Sequence, residues 1–167
     1  MSRREEKLQN AYDLAFKYEA ERGSCPQCVL SAIMETLNVG SPETVQVADA
    51  LAGGTALSAQ GSCGALVGGL MAISSIVGRT YEDFSTGERK RRVFQYSKKL
   101  YNKFIDEYDS ILCKDVHQKL FGRTFNLMDK DDYAEFERMG AHVDKCPIVS
   151  GKVARWTAEI ILDDLKK

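Results

Sequence analysis

Hydrophobic residues in this 167-residue chain recur at helical spacing, and four of its five cysteines stand where those periodic runs begin. The segments are Ser24-Cys25-Pro26-Gln27-Cys28, Gly61-Ser62-Cys63-Gly64, Leu112-Cys113-Lys114-Asp115 and Lys145-Cys146-Pro147. Ser and Gly before a helical run, and Pro in its first turn, are N-terminal signals because the first N–H groups lack intrahelical acceptors. Those free donors and the helix dipole favour negative charge, which predicts thiol pKa values lowered from about 8.5 toward neutrality. A thiolate is both the nucleophile and the metal ligand, so the placement points to redox or metal chemistry.

The helical runs can be followed along the chain. Leu8, Ala11, Tyr12, Ala15 and Tyr18 mark an amphipathic helix from Arg4 to Arg22, stopped by Gly23. A more apolar helix is expected from Pro26 to Asn38, and Ser41-Pro42-Glu43 opens one that runs through Leu51 and fails near Gly53-Gly54. The Gly-, Ser- and Ala-rich stretch up to Gly64 suits close backbone approach. From Cys63 to Val77, Gly64, Ala65, Gly68, Gly69 and Ala72 form a small-residue surface for a crossing helix. Tyr81 to Gly87 reads as a loop, and Glu88 to Asp109 as a long helix with Leu100, Phe104 and Tyr108 on one face, widened by Phe94. Runs from Cys113 to Phe121, from Asp129 to Met139, and from Cys146 onward complete the pattern. No stretch alternates with period two for long enough to make a strand. The expectation is an all-α single-domain bundle of about six to eight helices over residues 1–167, with cysteines at helix N-termini.

Charge and hydropathy exclude several function classes. Lys+Arg 23 against Asp+Glu 24 leaves a net charge of −1, which supplies no field for nucleic acid. The basic runs Arg89-Lys90-Arg91-Arg92 and Lys98-Lys99 read as a solvated helix face. The window from Cys63 to Val77 is shorter than the roughly 20 residues that cross a bilayer, so no membrane insertion is expected. The charged start Met-Ser-Arg-Arg-Glu-Glu-Lys lacks the apolar core of an export signal, and a cytoplasmic location follows as an expectation. In that compartment cysteines serve catalysis, metal binding or packing rather than a disulfide framework.

Cys25-Pro26-Gln27-Cys28 is a C-x-x-C at a helix start, the arrangement that lets a nucleophilic thiolate meet a resolving thiol. Cys28, beside Val29 and Leu30, also reads as a small buried hydrophobe. The wide separation of Cys25, Cys63, Cys113 and Cys146 is unlike compact zinc or ferredoxin spacings, so a metal site would have to be assembled by the fold. His117 and His142 are further candidate ligands, more readily read as hydrogen-bonded residues. Gly61-Ser62-Cys63-Gly64 lacks the lysine and preceding strand of a phosphate loop.

Cys63-Gly64-Ala65-Leu66-Val67-Gly68 resembles the CGAxxG signature of the C_GCAxxG_C_C family of redox-active proteins, and Cys25-Pro26-Gln27-Cys28-Val29-Leu30 resembles its upstream element. Cys113 and Cys146-Pro147 are similar to the two downstream cysteines, so the likeness spans nearly the whole chain, while Cys28 is an addition to the pattern. The resemblance implies a helical domain whose four cysteines converge and carry a redox role. A related domain at the C-terminal end of split-Soret cytochromes c is thought to hold an iron–sulfur cluster in proteins that dimerise, which extends to this chain the expectation of a cluster, a redox partner and a homodimer. The leading reading is electron transfer through an iron–sulfur cluster on Cys25, Cys63, Cys113 and Cys146, with Gly61, Gly64 and Gly68 letting backbone close around it. One alternative is thiol–disulfide exchange by Cys25 with Cys28 or Cys63. Another is a non-enzymatic structural zinc or metal-sensing module.

Overall fold

A computed structural model of the chain describes residues 2–165. Among them run nine α-helices and no strand: α1 (Arg3–Arg22), α2 (Cys25–Leu37), α3 (Pro42–Val47), α4 (Gly64–Val77), α5 (Tyr81–Ser85), α6 (Arg92–Tyr108), α7 (Cys113–Phe121), α8 (Lys130–Arg138) and α9 (Cys146–Ile160). A π-helical turn, Ala141–Lys145, leads straight into α9, and a second, Ile161–Leu165, follows it. None of the described helices is long and apolar enough to cross a membrane.

The last helix is the hub. α9 packs on α1, α2, α4 and α6, and it is buried on nearly every side through Val149, Val153, Ala154, Ala158 and Ile160. Lys152, Arg155 and Glu159 form a half-exposed charged stripe, and the other four helices wall in the rest. Glycines set how closely those walls approach. A Cβ on Gly68 of α4 would lie 2.5 Å from the Pro26 carbonyl oxygen of α2, and one on Gly151 of α9 would lie 2.8 Å from the Tyr12 ring of α1. Gly69 meets Thr157 and Leu100 at 2.6 and 2.7 Å in the same sense, so the small-residue surface of α4 serves the crossings its sequence suggests. A second, smaller core gathers Phe125, Leu127, Phe136 and Ala141 near the start of α9.

Three element boundaries depart from the sequence pattern. The expected loop after Tyr81 contains α5, held by a capping box in which Thr80 and Asp83 exchange side-chain and backbone hydrogen bonds. The long helix begins at Arg92 rather than Glu88, because Gly87 takes a positive φ and Lys90 is drawn back to Asp83 of α5. The helix from Pro42 stops at Val47 and resumes only as a short 3-10 turn, Asp49–Leu51. Leu100, Phe104 and Tyr108 do form the buried face of α6, whereas Phe94 is 72% exposed and does not widen it.

The α2–α4 crossing yields a stability test. Gly68→Ala would gain about 1 kcal/mol of helix propensity, yet its methyl group would press on Pro26 backbone that cannot rotate away. A net loss of about 1–3 kcal/mol is expected from overpacking, read as a lowered urea midpoint; an unchanged or raised midpoint would show that the crossing yields.

Candidate functional site

Different chain segments deliver the four family-pattern cysteines to one place. Gly23 and Ser24 take φ values of 68° and 61°, swinging the chain sharply from the end of α1 into α2 so that Cys25 opens the new helix. Cys63 caps α4 and Cys113 opens α7, and an isolated antiparallel bridge between Ser62 and Leu112 ties these two helix starts together. The Cys63 N–H donates to the Ile111 carbonyl at 2.7 Å and the Cys113 N–H to the Gly61 carbonyl at 2.9 Å. Cys146 begins α9 but not at a free helix end. Its N–H donates to the Ala141 carbonyl of the preceding π turn, so the expected N-terminal dipole is absent there.

A left-handed coil wraps these sulfurs. Gly53, Gly54, Thr55, Ala56 and Leu57 all take φ between 50° and 69°. A Cβ on Gly54 would lie 2.6 Å from Cys113 Cβ, one on Gly61 would lie 2.7 Å from the Gly54 carbonyl oxygen, and one on Gly64 would collide with the Cys25 sulfur. Gly61 and Gly64 therefore stand at the site. Gly68 lies one turn further along α4, against the backbone of Pro26.

All four thiols are free, with Cys63 and Cys113 buried and Cys25 and Cys146 half-buried. Each is raised by others of the set: Cys63 raises Cys25, Cys113 raises Cys63, Cys25 raises Cys113, and all three raise Cys146. Such mutual influence requires the sulfurs to share one low-dielectric region. Burial is the larger cause throughout. It pushes Cys63 and Cys113 up to about 12 and holds Cys25 and Cys146 well above the usual thiol range. The N–H groups of Ala65 and Leu66 face the Cys63 sulfur, and those of Gly53 and Cys25 face Cys25, but their opposing effect is smaller. The thiolates expected from helix starts are thus neutral thiols, because desolvation outweighs the dipole.

Cys28 stands apart. It is buried, its S–H donates to the Gly23 carbonyl at 2.9 Å, and it faces Glu19, which together with burial raises its pKa. No disulfide joins it to Cys25.

Three further residues belong to the site. Glu19, only 2% exposed, accepts a hydrogen bond from Ser150 Oγ at 3.3 Å and lies 3.6 Å from His142 Nε2. Burial raises its carboxyl above the ordinary range. The signal for it was present in the sequence: Ala11, Ala15 and Glu19 fall on one buried stripe of α1. His117 sits one turn beyond Cys113, its Nε2 3.4 Å from that sulfur, boxed by Phe121, Phe125 and Phe136. Its Nδ1 has no partner, and burial drives its pKa down to about 4. Between Glu19, Cys25, Cys146, His142 and Leu57 lies a chamber of about 180 Å³, floored by Phe136. Among the described residues no three His, Cys, Asp or Glu side chains are grouped to hold a metal ion.

A family model described as "Putative redox-active protein (C_GCAxxG_C_C)" matches residues 24–160, and the chain belongs to that family. No curated protein and no solved structure matches it.

The raised thiols imply a distinctive pH profile for the metal-free protein. A group whose folded pKa lies above its unfolded value stays protonated until the pH passes the folded pKa. Alkylation of Cys63 and Cys113 by iodoacetamide, followed by mass spectrometry of the native protein, should still be accelerating above pH 10, since both are pushed up to about 12. A plateau near pH 7 would mean that the helix starts prevail after all.

Proposed function

We propose that this protein transfers electrons through an iron–sulfur cluster held by Cys25, Cys63, Cys113 and Cys146. The observation that carries the reading is the convergence of four unpaired thiols, each raised by another of the set, with no cation among the causes of their shifts. Thiols kept neutral by burial and by one another lose their protons readily to a soft cationic group. The donor set fits such a group: Cys ligands suit iron–sulfur clusters, and each thiolate can serve a different iron.

The surroundings fit as well. Gly54 and Gly64 leave no room for a Cβ against Cys113 and Cys25, so backbone closes on these two cysteines, and Gly61 lets the chain lie against Gly54. N–H groups of Gly53, Ala65 and Leu66 face Cys25 and Cys63, where they stabilise negative charge added on reduction and raise the potential. Leu57, Leu127 and Phe136 keep the chamber beside Cys25 and Cys146 largely apolar and limit water. When bound, the cluster would supply one-electron storage; the chain supplies ligation, charge stabilisation and a dry wall. An electron donor and acceptor, each another protein, complete the reading, as does a reducing compartment that leaves the thiols free.

Two other readings are less favoured. Disulfide exchange needs an attacking thiolate near neutral pH, and Cys25 is held well above that range. A structural zinc on the same cysteines would supply no redox chemistry, which the family description names.

Anaerobic reconstitution with iron and sulfide decides the matter. Wild-type protein should turn brown and bind iron with acid-labile sulfide; Cys63→Ser and Cys113→Ser should lose most of both, while Cys28→Ser retains them. Colourless protein after reconstitution, or equal loss in Cys28→Ser, would falsify the assignment.

A further inference from the structure

We propose that the corner formed by the end of α4, α5 and the start of α6 seats this protein on an anionic lipid surface. Phe84 and Phe94 enter the headgroup layer there, and the arginines around them bind lipid phosphates. The proposal does not depend on what the cysteines hold.

Charge is unevenly spread along the chain. Residues 79–99 carry seven of its 23 Lys and Arg but only three of its 24 Asp and Glu, so this stretch is +4 and the remainder −5. Such asymmetry orients a molecule of small net charge toward an anionic surface. Arg89, Lys90 and Arg91 form a strap with an open groove on either side: about 520 Å³ toward Arg79 and Phe94, and about 450 Å³ toward Val77 and Arg92. Among the described residues no carboxylate lines either groove. Of the three acids nearby, Asp83 pairs with Lys90 and accepts the Thr80 N–H, Glu88 acts on Lys90, and Glu82 lies in the first turn of α5. Arg89 and Arg91 are left without an ion pair among the described residues.

Aromatic side chains stand out among these cations. Tyr81 is 85% exposed, Phe84 64% and Phe94 72%. Tyr81 and Phe84 are three apart on α5, so they share a face of that helix, and the Arg79 guanidinium lies 5.2 Å over the Phe84 ring. Rings at headgroup level with cations on the phosphates are the pattern of a protein resting on a bilayer. Tyr81 and Phe84 line neither groove, so a small anion or an acidic peptide lodged in the grooves would leave both in water. A continuous surface covers the whole corner. The contact is peripheral, since none of the described helices can cross a membrane. Cys63 caps the opposite end of α4, and 14 helical residues span about 20 Å, so the cysteine pocket stays clear of the lipid.

Vesicle flotation of the full chain tests the assignment. Wild type should float with mixed phosphatidylcholine–phosphatidylglycerol vesicles and not with pure phosphatidylcholine, and added salt should release it. Arg89→Gln with Arg91→Gln should weaken binding about 25-fold, roughly fivefold per cation. Phe84→Ser with Phe94→Ser should weaken it about tenfold. All four side chains are exposed, so thermal unfolding should be unchanged in both double variants. Acyl-chain-brominated lipid should quench Phe94→Trp and spare the wild-type protein, whose single Trp is Trp156. Absence of flotation, equal flotation on neutral vesicles, or full binding by the phenylalanine double variant overturns the proposal. Retention on poly-glutamate stronger than on anionic vesicles also overturns it and makes an acidic protein the occupant. The same readout applies to metal-free and reconstituted protein, so this result and that of the cluster assignment are separate.

Discussion

Uncompensated negative charge is what the centre of this protein cannot hold. Burial is the first cause of the raised pKa of Cys25, Cys63, Cys113, Cys146 and Glu19, and the Glu19 charge raises each of the four thiols further. A buried ion without a partner is so unfavourable that such groups stay protonated instead. Under the proposed function, a positive centre among these thiols would offset that cost and turn neutral groups into ligands, unlike a nucleophilic cysteine activated by a fixed base.

The backbone around the pocket is shaped at a conformational cost. Thr55, Ala56, Leu57 and Ala59 all have positive φ, and a left-handed conformation costs a non-glycine residue roughly 1–2 kcal/mol. The coil persists because its hydrogen bonds fix it from several directions: the Ala56 N–H reaches the Ala50 carbonyl at 2.8 Å, the Ala59 N–H reaches Gly53 at 2.8 Å, and Ser58 Oγ reaches Gly54 at 2.7 Å. What the strain secures is position. It turns the Gly53 N–H toward Cys25, sets Gly54 against Cys113, and presents the Ala59 carbonyl to the Lys114 N–H at the start of α7. Strain concentrated where functional groups converge is the pattern expected when geometry matters more than local comfort.

Much of this architecture is legible in the chain because it is local. The apolar spacing of α1, α2 and α9, the Ser41 cap of α3, the small residues of α4 and the cysteines opening α2, α4 and α7 are all properties of a few adjacent residues. The capping box of α5 was equally local, but its five residues are too few for periodicity to reveal. Tertiary quantities escape such reading. The sign of φ at Thr55, Ala56 and Leu57 depends on partners outside any sequence motif, and the thiol pKa depends on how deeply each helix start is buried. Helix dipoles can be inferred from sequence and desolvation cannot, which is why the direction expected for the cysteines reverses in the folded protein.

The polar side of the pocket depends on one register. His142, Cys146 and Ser150 are spaced four apart, and the π turn runs into α9 without a break, so the three project in succession along one face. On an ordinary core helix that stripe would be apolar. Here it meets Glu19, which occupies the position after Ala11 and Ala15 on the facing stripe of α1, across the most extensive helix pair in the fold. His142 and Ser150 both engage the carboxyl, and its charge raises Cys146 between them. A π turn adds a residue to the turn and shifts the phase of everything before it. Residues four apart share a face, so His142 and Ser150 reach the Glu19 carboxyl from either side of Cys146.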